Sequence, residues 1–144
     1  MLVRLSNEDI ARNWELFKGA IEASVPRTGE TLPDRMAKCL EAALLGRIVC
    51  WLGFQGEEVC CAVVTLDSYD FLSGHSTVVV YACQFLTHMT REDIQAVWDT
   101  LRKYAKGQGC TTLTAYSDSM TVINLCLKAN GGKGFLSHLV ALPL

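Results

Sequence analysis

The side chains best placed for chemistry gather where a β-rich run ending in Gln84-Phe85-Leu86 passes through Thr87-His88-Met89-Thr90 into a helix that begins Arg91-Glu92-Asp93. A helix N-terminus exposes unpaired backbone N–H groups and carries about half a positive charge, so it suits a phosphate or another anion. His88 and Arg91 can approach such an anion from the loop. Glu92 and Asp93 oppose it, because two carboxylates at one end outweigh the half charge of the helix. The same residues also have a purely local reading. Thr90 with Asp93 forms a capping-box variant, Glu92 complements the helix dipole, and His88 and Arg91 are solvated loop charges.

The other reactive groups are scattered. Tyr81 and Gln84 lie on the strand before the loop, yet neither is ionised near neutral pH. Asp67, Asp70 and His75 in the preceding polar link are either general bases by proximity or members of an ordinary turn. Cys126 sits between Leu125 and Leu127 in a later apolar segment. Its thiol, with an ordinary pKa of about 8.5, can donate a proton or simply pack as a small hydrophobe. His75, His88 and His138 have no metal-ligating neighbours in sequence, and no C-x-x-C, H-E-x-x-H, P-loop or G-x-S-x-G pattern occurs, so no metal is expected. Cys60 and Cys61 are adjacent and on a regular strand would point to opposite faces. The seven cysteines are odd in number and read as buried thiols of a reduced, cytoplasmic protein.

The elements that must position these groups follow from periodicity. Leu2 to Leu5 suit a short strand, and Ser6 with Asp9 opens a helix whose apolar face is Ile10, Trp14, Phe17 and Ile21. Thr31 caps a second helix with Pro33 in its first turn, Met36, Cys39, Leu40, Ala43 and Leu44 as its stripe, and Gly46 as its stop. Residues 47–54 and 58–66 form a hairpin across Gln55-Gly56-Glu57, and a polar link over 67–75 leads to a central strand at 76–86. Ile94, Val97, Trp98, Leu101, Tyr104 and Ala105 then follow helical spacing to Gly107. A short strand at 110–116, a helix capped by Asp118 and ended by Gly131-Gly132, and a last strand at 135–142 complete the chain. The strand-helix-strand passage predicts a right-handed crossover between parallel neighbours.

Composition bounds what this can do. A chain of 144 residues makes one domain, 1–144, with a single sizeable core. A net charge of −2 with scattered Lys and Arg supplies no field for nucleic acid. No apolar run approaches the roughly 20 residues of a membrane-spanning helix.

The order β-α-α-β-β-β-α-β-α-β, an α/β fold with a mixed sheet, resembles the GNAT-type N-acetyltransferases along nearly the whole chain. Tyr104-Ala105-Lys106-Gly107-Gln108-Gly109-Cys110 is similar to that family's helix closing before its next strand, and Val122-Ile123-Asn124-Leu125-Cys126 stands where the family has Ala-Ile-x-Leu-Tyr. The resemblance implies that acetyl-CoA is held by main-chain groups around Gln84, Phe85 and Leu86 and by the loop His88, Met89, Thr90 and Arg91, with Ser119 also at the cofactor. It implies a catalytic position at Cys126, in place of the proton-donating tyrosine; Tyr81, on the strand facing a possible cleft, is the other catalytic candidate. The family's loop pattern, Gln/Arg-x-x-Gly-x-Gly/Ala, falls on Met89-Thr90-Arg91-Glu92-Asp93-Ile94, so Glu92 and Ile94 replace both glycines and cofactor binding is expected to be weak or lost.

Two functions follow from the resemblance: acetyl transfer to a primary amine on a small molecule or protein, or an inactive module of the same fold serving binding, regulation or assembly. The resemblance implies an extra terminal strand for which the sequence up to Leu144 leaves no room, so an exposed edge is expected, covered by a partner or by a second copy through the C-terminal strand.

Overall fold

A computed structural model describes residues 1–24, 34–117 and 119–134. The elements run β1 (Leu2–Arg4), α1 (Asn7–Arg12), α2 (Trp14–Ser24), α3 (Arg35–Leu44), β2 (Ile48–Gln55), β3 (Glu58–Asp70), β4 (His75–Phe85), α4 (Arg91–Gly107), β5 (Thr112–Ala115) and α5 (Met120–Ala129). Thr31, Pro33, Asp118 and the expected strand at 135–142, with the association assigned to it, lie outside the described residues.

The sheet order is β1-β2-β3-β4-β5, antiparallel except for the last pair, where β4 and β5 run parallel. The expected crossover through α4 therefore joins true neighbours. Helices α1 to α3 cover one face, packing Ile10, Phe17, Ile21 and Ala43 on Cys50, Leu52, Val64 and Ala82. Helix α4 covers the other, packing Val97 and Leu101 on Trp51, Val63 and Val80. Because both faces are covered, the middle strands are apolar without alternation. The buried Trp51 donates its Nε1–H to Thr65 Oγ1 at 3.0 Å and meets Tyr104 edge to face at 5.0 Å. Among the described residues no helix is long and apolar enough to cross a membrane.

Two expectations are corrected. The single first helix is two, because Asn13 turns the chain: its N–H and its side-chain amide both donate to the Asp9 carbonyl, at 3.1 and 2.8 Å, and its ψ of 14° leaves helical geometry. Ile10, Phe17 and Ile21 nevertheless stay on one buried face. The polar link over 67–75 is mostly strand, since Asp67 to Asp70 pair with Val78 to His75. Its turn is confined to residues 71–74. Gly74, at φ 71°, donates its N–H to the Asp70 carbonyl at 2.8 Å, and the Asp70 carboxylate accepts from Leu72 N–H and from the Ser73 hydroxyl. Backbone pairing thus continues through residues whose side chains, being polar, need only face water.

Candidate active site

The sheet forks at β4. Its ladder with β5 runs from Thr77–Thr112 to Val80–Ala115 and stops there, while β4 continues through Phe85. Thr77 Oγ1 ties the closed end, donating to the Thr112 carbonyl at 3.1 Å and lying 3.0 Å from Thr114 Oγ1. At the parting point β4 carries a bulge: Val64 pairs with Ala82 and Thr65 with Val80, which leaves Tyr81 as the extra residue. A bulge bends its strand and increases the local twist. The far end of β4 stays on β3, because Leu86 N–H donates to the Cys60 carbonyl at 2.8 Å. By the alternation of an antiparallel ladder, the main-chain groups of Phe85 are then directed to the opposite edge, that of the fork.

The start of α4 borders this region, and its capping box is complete. Thr90 Oγ1 accepts from Asp93 N–H at 3.2 Å, and Asp93 Oδ2 accepts from Thr90 N–H at 3.0 Å. The same carboxylate oxygen accepts from the Thr90 hydroxyl and from Gln55 Nε2, both at 2.8 Å. These bonds, the one to the Thr90 side chain first, hold the Asp93 carboxyl below its ordinary pKa. Gln55 Oε1 in turn accepts from Thr87 Oγ1, and Met89 is buried in the α4 core, so the loop is fastened to the end of β2. The N–H groups of Arg91 and Glu92 have no described acceptor, but the Glu92 carboxylate is carried on the same turn. The fit to an acyl-CoA is therefore divided: the fork offers a strand edge to an extended arm, whereas the helix start has used its Thr90 and Asp93 amides on itself.

The other sequence candidates separate. Tyr81 turns its side chain to the α2–α3 face, where its hydroxyl accepts from Arg35 at 2.7 Å. Gln84 lies on that face too, its Oε1 over Gly19. Phe85, Leu86, His88 and Arg91 are exposed. Ser119 caps α5 by accepting from Val122 N–H at 3.4 Å. Cys126 is half-buried, and burial raises its thiol above the ordinary value; burial pushes the Cys83 thiol, which feels Cys126, up to about 12. Asp70 and His75 pair at the far end of the hairpin, five residues or about 17 Å along the strand from the fork, and so are not brought to Tyr81.

Cys60 and Cys61 correct the expectation of opposite faces. Phe54 pairs with Val59 and Gly53 with Cys61, so Cys60 is an extra residue in β3 and both thiols enter the α4-side core. They lie over Gly53, where an added Cβ would stand 2.3 Å from Cys61 Sγ and 3.3 Å from Cys60 Sγ. Gly53 was the available signal, since a glycine inside a strand often marks a bulge or a close approach. Among the described residues no cysteine is joined in a disulfide, and no His, Cys, Asp or Glu cluster could hold a metal ion.

No protein-family model matches the chain, and no curated protein matches it in sequence. Solved structures do match its shape. A probable acetyltransferase superposes with a TM-score of 0.73 at 15% identity, covering 100% of this chain and 97% of that one. An aminoglycoside acetyltransferase from an uncultured soil metagenomic sample, in complex with sisomicin, gives 0.70 at 11% identity, covering 99% and 95%. A predicted acetyltransferase with acetyl-CoA from Clostridium acetobutylicum gives 0.68 at 10% identity, covering 99% and 94%. The chain has the GNAT acetyltransferase fold, a mixed α/β architecture whose sheet has five strands among the described residues.

Proposed function

We propose that this chain is an acyl-CoA N-acyltransferase of GNAT type, moving an acetyl group to a primary amine, with a degenerate pyrophosphate loop. The observation that carries the reading is the fork: β4 keeps strand geometry beyond Val80 after β5 has left it. A strand edge binds an extended ligand through main-chain hydrogen bonds, and Phe85 supplies such groups here. When bound, the thioester supplies an acyl group to the amine nitrogen as its C–S bond breaks. Arg91 carries the loop's positive side chain, while Asp93 is committed to its cap. Affinity for the cofactor is accordingly low. The thiols suit a reducing cytoplasm.

A second reading, an inactive binding, regulatory or assembly module, is favoured by Cys126. That thiol stands where the resemblance places a proton-donating tyrosine, and burial raises its pKa above the ordinary value. Calorimetric titration with acetyl-CoA separates the two. Micromolar binding supports the transferase; no heat and no thermal shift at millimolar cofactor supports the module. Glu92→Gln should tighten binding about fivefold at low salt, an effect that added salt removes. Self-association is tested by light scattering of the intact chain against a variant with charges at Leu139 and Ala141; a monomer at every concentration would count against it.

A further inference from the structure

On the α2–α3 side of Tyr81 the sheet and helices enclose an open pocket of 220 Å³. That is several times the roughly 30 Å³ share of a water molecule, so a metabolite-sized side chain fits. Its floor is branched and aliphatic, with Ile21, Ile48 and Leu66, and its rim carries Arg35, Lys38 and Tyr81. No acidic residue lines it among the described residues, and none of the described acids lies within ion-pair distance of Arg35 or Lys38. The Tyr81 hydroxyl accepts from Arg35, which leaves its own proton to donate, and the guanidinium has further N–H groups beyond that bond. Two cations and a phenol donor at the mouth of an apolar hollow complement an anion with an apolar body.

Tyr81 also links this pocket to the fork. Its main chain forms the bulge where β4 and β5 part, while its side chain is in the pocket wall. We propose that the pocket binds a small amine bearing a carboxylate and an apolar side chain, an α-amino acid of about leucine size, with the carboxylate at Arg35, Lys38 and Tyr81. This names the acceptor for the transfer described above and rests on that reading for the reaction alone. The cations would also favour the neutral, nucleophilic form of the amine, because a like charge nearby disfavours ammonium. During transfer a C–N bond forms and the C–S bond breaks; the amine's proton leaves to solvent, and the departing thiolate takes one up. A polycation such as sisomicin would meet two like charges at this mouth.

The test is calorimetric titration of the full chain with L-leucine and with L-leucinamide, which lacks the carboxylate, without any thioester. L-Leucine should bind, and L-leucinamide should bind about tenfold or more weakly. Arg35→Gln and Tyr81→Phe should abolish that preference. Lys38→Glu, at an exposed position, should reverse it in a chain whose circular dichroism and melting are unchanged. Equal binding of the two ligands, no leucine binding at millimolar concentration, or a preference indifferent to the three substitutions would overturn the proposal. Leucine binding without acetyl-CoA binding would keep the pocket and remove the transferase; acetyl-CoA binding without leucine binding would do the reverse.

Discussion

Gly53→Ala is the sharpest probe of how this sheet is built. The new methyl carbon would stand 2.3 Å from Cys61 Sγ, and Cys60 Sγ at 3.3 Å limits retreat on that side. Cys61 is fully buried in the α4-side core, so its thiol can clear the methyl only by displacing packed neighbours. Overpacking of this kind costs about 1–3 kcal/mol. Replacing glycine by alanine also restricts the unfolded chain, which returns about 0.4–1 kcal/mol where the backbone is compatible. The expected net loss is about 1–2 kcal/mol. Cys61→Ala removes the obstructing sulfur, so in that background Gly53→Ala should be neutral or slightly stabilising, giving a coupling of about 2 kcal/mol. Urea denaturation followed by tryptophan fluorescence measures all four chains, with an unchanged slope showing that the unfolded reference has not moved. An equal cost of Gly53→Ala with and without the Cys61 thiol would refute the argument.

Trp51→Phe should cost about 2 kcal/mol in the same assay, because it leaves the buried Thr65 hydroxyl without its donor. Asp93→Asn should lower stability near neutral pH and converge with the parent in acid. The folded carboxyl pKa lies below the unfolded one, so its stabilisation is present above the unfolded value and lost as pH falls through the folded value; parallel denaturation curves down the acid range check it, and a pH-independent gap would contradict it. Cys50, Cys61 and Cys83, their pKa values pushed up to about 12 by burial first of all, should resist iodoacetamide at pH 8 in the native chain and react freely in urea, as peptide mapping would show.

Much of the fold was legible because its signals are local. Helical spacing from Ile94 to Ala105 and the Thr90–Asp93 pair marked α4 and its cap, and the apolar run Val78, Val79 and Val80 marked a strand covered on both faces. The joint at Asn13 was hidden because both helices share one apolar face, and the hairpin beyond Leu66 was hidden because exposed strand residues are as polar as a loop. Of the residues singled out in the sequence, Thr90 and Asp93 meet in the cap of α4, whereas Tyr81 and Gln84 face the α2–α3 side of the sheet.

Residue type and spacing by themselves determined the strands β1 to β5 in their order along the chain, the apolar face shared by α1 and α2, and α4 with its Thr90–Asp93 cap. Only tertiary structure decided where β5 leaves β4, that Cys60 and Cys61 share one core, and that Arg35 meets Tyr81 across 46 positions of chain. The reason is physical: each of those features depends on register between distant strands. One extra residue at Cys60 or at Tyr81 reverses which face the following side chains occupy, and nothing in the local sequence period records it.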